Sequence, residues 1–374
     1  MSGSFNKIKI AYVIDQLNTG GTERQLKYLI DGLNRDRFDV TLFLLRGIEE
    51  HLLRPQNADV KTLGVLSLMS LDGFKKLFNF SGHLRENKFD IIQTFFQDAT
   101  IFGVLAGKMA GVRHILISIR DMRFWATPVL SAAHRIMTGL ADALVVNSKA
   151  VQKNVKPLSG KKPVHVIYNG MPLGMHYNKS SEAKRNLAAE LNIDENKPIV
   201  VLVSNCNRSV KRVDLLIESL PIVSKEADAF FLVVGDGHLR PALEARAREL
   251  NVQNHIRFLG QRPDVEDILA GSDIALNTSD SEGLSNSVIE AMRAGLPVIA
   301  SDIEGNSELI EDKLTGCLFS AGKHEELAKQ IVYLLKNPEV GEKLGATAAK
   351  RVEERFSVAE MIENYARFYQ SACA

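Results

Sequence analysis

The segment DSEGLSNSVIEAMRAGLPVIASD (280–302) places two acids, Glu282 and Glu290, eight residues apart, with a glycine, two serines and an asparagine between them and no Lys or Arg. Glu282 precedes Gly283 and falls in the loop after the strand-like run DIALNTS. Ser285 or Ser287 can cap the helix that follows, and Ser287 with Glu290 matches a capping box. Gly295 ends that helix. The backbone N–H groups of Leu284, Ser285 and Asn286 then crown a helix N-terminus at the carboxyl end of a strand, a setting that favours an anion. A carboxylate does not bind a phosphate, but it accepts hydrogen bonds from hydroxyls. Glu282 beside the anion and Glu290 about two turns down the helix could each hold one sugar on either side of a diphosphate, which describes a nucleotide sugar. Taken singly, Glu290 also fits a simple capping-box acid and Glu282 a solvated loop residue.

A second anion-friendly turn lies in YVIDQLNTGGTERQLKYLI (12–30). Gly20 and Gly21 let the backbone approach a ligand closely, and Thr22 with Gln25 fits a capping box. The first-turn N–H groups favour a phosphate; a ligand-free turn is the alternative. The pattern G-x-G-x-x-G is absent, against a dehydrogenase.

These turns need strands and helices to hold them. The 374 residues exceed what one core usually supports, so two domains are expected. Composition is that of a globular protein, 45% hydrophobic and 24% charged, and the net charge of +1 excludes the basic excess of a nucleic-acid binder. Three scattered cysteines give neither a disulfide framework nor a zinc spacing, and point to a reducing compartment. No metal is expected, because no carboxylate or His/Cys cluster has metal spacing. The N-terminus lacks a signal-peptide pattern, and no run is long enough to span a membrane.

Short β-branched runs alternate with amphipathic stretches. IKIAYVI (8–14), FDVTLFLL (38–45), DIIQTF (90–95), HILIS (114–118) and ALVVNS (143–148) read as buried strands. Residues 164–185 read as a linker, and a second alternation follows with PIVVLVS (198–204), AFFLVVG (229–235), HIRFLG (255–260), DIALNTS (273–279) and PVIAS (297–301). From about 323 the pattern is helical only. The expected fold is α/β, two tandem doubly wound Rossmann-like domains facing across a cleft, with ligands at the carboxyl ends of the strands.

The stretch EGLSNSVIEAMRAGLPVIASDIEGNSELI resembles the E-x7-E region of the retaining glycosyltransferase family 4, which has the GT-B fold. GGTERQLKYLIDGL, ADALVVNSKAV, VIYNGM, VKRVDLLIESL, VVGDGHLRPALE and IRFLGQRPDVEDILAGSDI extend the resemblance over nearly the whole chain. It implies an N-terminal acceptor-binding domain (1–172 plus 357–374, the last helix crossing back with Phe356, Tyr365 and Phe368) and a C-terminal nucleotide-sugar-binding domain (173–356). Glu290 matches the acid on the ribose hydroxyls, and Glu282 the acid near the donor sugar. Leu284, Ser285 and Asn286 match the backbone that holds the diphosphate, with Gly20 and Gly21 in the loop touching it from the other domain. Arg208 and Lys211 of SNCNRSVKRVD would neutralise the diphosphate, although Cys206 falls where the family often has the Arg. Arg262 sits where base-contacting residues occur.

The first domain departs from the family pattern. Gln93 and Phe95 occupy positions where many members carry His, followed by Gln97 and Asp98. The loop SIRDMRFWATP (118–128) joins Arg120, Asp121 and the only Trp, Trp125, and reads as an acceptor loop, or as an ordinary surface loop with a half-buried Trp.

The resemblance implies a metal-independent, retaining enzyme without cofactor. It would move a sugar from a UDP-linked donor to a hydroxyl of a glycan, lipid-linked or polysaccharide precursor, and it would be cytoplasmic. FKKLFNFSGHLRENK (74–88) is basic and amphipathic and leaves peripheral contact with the inner face of the cytoplasmic membrane open. The alternative is a non-catalytic glycosyltransferase-like binding subunit.

Overall fold

The computed structural model describes residues 7–18, 20–47, 53–122, 127–173 and 179–374, so Trp125 lies outside the described residues. The chain divides into two compact units, Met1–Gly170 with Val358–Ala374, and Met171–Ser357.

The first unit is built on β1 (Ile8–Ile14), β2 (Phe38–Leu44), β3 (Asp59–Thr62), β4 (Ile91–Phe95), β5 (His114–Ile119), β6 (Ala143–Val146) and β7 (Val164–Val166). Their order is β3-β2-β1-β4-β5-β6-β7, every pair parallel. The second unit contains β8 (Ile199–Val203), β9 (Phe230–Val234), β10 (Ile256–Gly260), β11 (Ile274–Asn277), β12 (Val298–Asp302) and β13 (Cys317–Ser320), in the parallel order β10-β9-β8-β11-β12-β13. Parallel strands are covered on both faces, so the central ones are continuous apolar runs rather than alternating ones; β4 and β11 are buried at every position. In each sheet the strand order reverses once, between β1 and β4 and between β8 and β11. The loops leaving these neighbouring strands diverge at such a point, which is where doubly wound sheets bind ligands.

β3, β7 and β13 are the strands that the hydrophobic pattern does not announce, and β7 lies inside the stretch read as a linker. All three are sheet edges. DVKT and VHV are largely exposed or half-buried, so neither carries an apolar run.

Three helices end the chain, His324–Lys336, Pro338–Arg355 and Val358–Cys373. The last belongs to the first unit. Its Met361, Tyr365 and Tyr369 enter a core with Tyr12, Leu26 and Phe38, and Phe368 packs against the same cluster. Phe356, expected on that face as well, belongs instead to the second unit, where its carbonyl accepts from the backbone N–H of Met171 at 2.7 Å before the chain crosses. No helix among the described residues is long and apolar enough to cross a membrane.

A buried polar chain fastens the returning helix. The Tyr12 and Tyr369 hydroxyls are 2.8 Å apart, Tyr369 donates to Gln93 Oε1 at 2.6 Å, and Gln93 Nε2 donates to Ser118 Oγ at 2.6 Å. Burial raises both phenol pKa values, so both hydroxyls keep their protons. Tyr369→Phe removes the central member and leaves two buried groups short of a partner. Urea unfolding should show a loss of about 2 kcal/mol; an unchanged midpoint would remove this chain from the account of the fold.

Candidate active site

In the second unit the loops after β8 and β11 are stitched together. Asp280 N–H donates to the Val210 carbonyl at 2.8 Å, and Thr278 Oγ1 donates to the Lys211 carbonyl at 2.9 Å. Lys211 ends a short 3-10 turn, Ser209–Lys211, and Arg212 follows with φ 48° and ψ 44°. The guanidinium of Arg212 bridges Asp214 and Asp280, which holds this left-handed turn against the β11 loop. Lys211 Nζ thereby reaches Glu282 Oε1 at 2.6 Å, and Ser279 Oγ donates to the same oxygen at 2.8 Å. Glu282 is 13% exposed and Lys211 22%, so the pair is shielded but still open to a ligand.

Beneath the pair lies a layer of buried polar side chains. Asn277 Nδ2 donates to Ser285 Oγ at 3.0 Å, and its Oδ1 accepts from Ser279 N–H at 3.3 Å and from Asn306 Nδ2 at 3.0 Å. Asn306 Nδ2 also reaches the Ser301 carbonyl at 3.0 Å, and Ser301 Oγ donates to the Ser279 carbonyl. Buried amides and hydroxyls persist only when bonded, so this layer fixes the Ser279–Ser285 loop. Gly305 lets the next segment approach it: a Cβ there would stand 2.4 Å from the Glu282 carbonyl oxygen.

Ser285 caps the helix Asn286–Arg293, its Oγ accepting from Val288 N–H at 3.4 Å. The third helical position is therefore Val288, and Glu290 is not a capping-box acid. The box with Ser287 does not form. Glu290 stands half-buried on the fifth helical residue, Leu284 and Ser285 are buried, and Asn286 opens the helix.

The structure joins Lys211 to Glu282 and pairs neither Arg208 nor Arg262 with it. Arg208 is exposed and lines a hollow of about 290 Å³ with Cys206, Leu239, Leu243 and Arg246. Arg262 follows the edge strand β10, two strands from the reversal, and its guanidinium is paired with Glu190 at 2.6 Å and with Asp264.

In the first unit the helix Gly21–Gly32 starts at Gly20 without a side-chain cap. The Thr22–Gln25 box is not formed, because Gln25 is drawn inward to exchange hydrogen bonds with the Gly170 backbone at 2.9 and 2.8 Å. The buried Glu23 folds over the helix start instead, and a Cβ on Gly20 would lie 2.3 Å from its Oε2. Burial raises the Glu23 pKa. Asp15, at the end of β1, accepts from Ala99 N–H at 2.7 Å and so ties the reversal point to the helix Gln97–Ala110. Burial is also the main reason its pKa rises to about 6. Gln97 is half-buried at the start of that helix. The residue before it, Phe96, has φ 66° and ψ −179°, a conformation otherwise nearly confined to glycine.

Gln93 is fully buried and Phe95 nearly so, which makes both structural. Arg120 is committed to Asn169 and, at 3.4 Å, to the Tyr365 hydroxyl; Asp121 is half-buried next to it. Sequence reasoning passed over Asp15, Glu23, Ser279, Asn277, Ser301, Gly305 and Asn306. Their one visible signal is a cluster of small polar residues just after an apolar strand.

Two all-parallel Rossmann-like sheets, each with its polar loops at the strand reversal, define the fold of the GT-B glycosyltransferases, and solved structures agree. Anabaena Alr3699/HepE, solved with UDP, superposes with a TM-score of 0.83 at 24% identity over 97% of this chain and 100% of that one. Residues 19–174 match the model of Glycosyltransferase Family 4 and residues 183–351 that of Glycosyl transferases group 1, and the chain belongs to glycosyltransferase family 4. Among curated relatives, the N-acetyl-alpha-D-glucosaminyl L-malate synthase of Bacillus anthracis is 28% identical over 63% of this chain, which spans only 59% of the synthase. The UDP-Gal:alpha-D-GlcNAc-diphosphoundecaprenol alpha-1,3-galactosyltransferase of Escherichia coli is 23% identical over 89% of both chains.

Gly305→Ala forces backbone apart under Glu282, and unfolding should cost about 1–3 kcal/mol less than in the wild type. Gly47→Ala, at an open position, serves as the control; equal midpoints for the two variants would show that the close approach is unimportant. Asp15 binds its proton more tightly folded, at about 6, than at its ordinary 3.8. Its contribution to stability is full below 3.8 and lost as the pH rises through 6. Asp15→Asn should flatten the fall in stability between pH 4 and 7; identical slopes for variant and wild type would contradict the burial argument.

Proposed function

We propose that the chain is a retaining, metal-independent glycosyltransferase that moves a hexosyl group from a UDP-sugar to a hydroxyl of a glycan or lipid-linked acceptor. The observation that carries this reading is the Lys211–Glu282 pair, held by Ser279 at the strand reversal beside the helix that bears Glu290. Two further facts support it: HepE has been solved with UDP-glucose, and the Escherichia coli relative bears a name that specifies a UDP-sugar donor and a diphosphoundecaprenol acceptor.

In this reading the diphosphate lies at the start of the helix Asn286–Arg293. An ammonium has three donors; Lys211 spends one on Glu282 and turns the others to the phosphate oxygens that gain charge as the donor's C1–O bond breaks. Arg208 adds positive charge when its exposed side chain swings in. Glu282 accepts from a hydroxyl of the transferred sugar, and Glu290 from the ribose. Arg262 lies on the base side. The acceptor oxygen forms its bond to C1 on the face the phosphate leaves, and its proton passes to the departing phosphate. The helix start and Lys211 supply the positive charge for which other enzymes recruit a metal. The first unit serves the acceptor, with Gln97, Arg120, Asp121 and Trp125 as candidates, and its Gly20–Gly21 turn is a candidate phosphate contact.

The test is a thermal-shift screen against UDP, GDP, ADP, CMP and their sugars in the presence of EDTA, followed by release of nucleotide from the donor that binds. A shift with one nucleotide that Glu290→Ala abolishes is expected. Lys211→Ala should slow donor hydrolysis by roughly 100-fold with little change in melting temperature. Binding without turnover in the wild type would favour the non-catalytic subunit; no shift with any nucleotide would end the donor-site assignment.

A further inference from the structure

The helix Leu71–Glu86 of the first unit is apolar on two sides. One face, with Gly73, Leu77, Phe80, Ser81 and Leu84, is buried in the core. A surface helix needs only that stripe. A second runs along the outside: Leu71, Phe74 and Phe78, three and four residues apart, are 90%, 46% and 64% exposed. Leu66 and Met69, in the preceding loop, are 82% and 84% exposed. Five of the ten large hydrophobic side chains exposed among the described residues thus fall within 66–78.

The loop that presents them is firmly built. Ser70 Oγ accepts from Gly73 N–H at 3.0 Å and donates to the Ser67 carbonyl at 2.9 Å. Position 73 must be glycine, since a Cβ would stand 2.3 Å from the Ser67 carbonyl oxygen. The apolar side chains are therefore held in place before any partner arrives. Around them the charge is positive. Lys61 and Lys75 are exposed, and the nearest acid, Asp72, is already matched by Lys76 at 2.6 Å. Residues 59–88 carry five cations against three acids, whereas the whole chain is balanced to within one charge.

We propose that this loop–helix corner docks on an anionic lipid surface, with Leu66, Met69, Leu71, Phe74 and Phe78 entering the headgroup boundary and Lys61 and Lys75 facing the lipid phosphates. Five side chains from one short stretch are few for a stable protein interface, which takes roughly 20–30 residues a side. They suit an interfacial helix, whose hold on a membrane comes from a local apolar face with lysines beside it. The proposal is independent of the catalytic reading.

The experiment is co-sedimentation of the full chain with vesicles of phosphatidylglycerol and phosphatidylcholine, and with phosphatidylcholine alone. The wild type should pellet with the anionic vesicles and far less with the neutral ones. Phe74→Ser combined with Phe78→Ser should cut binding by roughly 10-fold or more. Lys75→Glu should weaken it on the anionic vesicles, and Ile136→Ser, another exposed apolar position, should leave it unchanged. Circular dichroism melts confirm that each variant is folded. Absence of wild-type binding, or binding undiminished in the double variant, overturns the proposal. A wild-type dimer that the double variant converts to monomer, with no vesicle binding, would overturn it in favour of contact between copies.

Discussion

A parallel sheet whose strand order reverses cannot carry its connections all to one side. The chain leaves one strand toward one flank and its neighbour toward the other, and a gap opens at their carboxyl ends. Both sheets here obey this constraint, at β1/β4 and at β8/β11, and the polar residues that the fold would otherwise exclude collect there. In the second unit the gap is lined by loops rather than helices, and loops hold position only when their polar groups are satisfied. Asn277, Ser279, Ser285, Ser301 and Asn306 are all buried and linked to one another. Asn306 Oδ1 alone in this network is left without a partner among the described residues, and the remaining bonds restrain the loop, so Glu282 and Lys211 meet without waiting for a ligand to impose their geometry. Electrostatic stabilisation of a leaving group depends on this prior order.

The first unit solves the same problem differently. Its reversal point is crossed by a carboxylate, Asp15, which accepts from the backbone that starts the neighbouring helix. A second carboxylate, Glu23, lies over the glycine turn. Both are buried enough to resist ionisation. Gln93 and Phe95 are turned inward: Gln93 completes a hydrogen-bonded chain to Tyr369 and Ser118, so its amide anchors the returning helix and is not offered to a ligand.

Central strands were legible because burial on both faces writes an uninterrupted apolar run, as in IKIAYVI and PIVVLVS. The edge strands β3 and β7 were not, because half their surface faces water and DVKT or VHV can be polar without penalty, whereas the edge strand β10 kept enough apolar residues in HIRFLG to be read. The two glutamates and Lys211 could be read from spacing and motif, since their chemistry is local. The support beneath them could not: Asn306 meets Asn277 across 29 residues, a partnership that no local pattern encodes. Capping boxes were over-read for a similar reason. Gln25 has the right spacing for one, but a tertiary partner at Gly170 outbids the local bond. The glycine-like backbone of Phe96 leaves no trace in the sequence at all.

The helix Val358–Cys373 completes a core whose other walls lie at the opposite end of the chain, with Tyr12 and Tyr369 separated by 357 positions. A ribosome adding about 5–20 residues per second needs roughly 20–70 s to cover that interval. Residues 171–357 are contiguous and contain all six strands of their own sheet, so the second unit's sequence is complete before the helix that the first unit still lacks is made. For that time Leu26, Phe38 and the ring of Tyr12 lack the helix that covers them, and the unit that is begun first is the last to have its sequence complete. A chaperone guarding this chain during translation would find its client surface near the N-terminus.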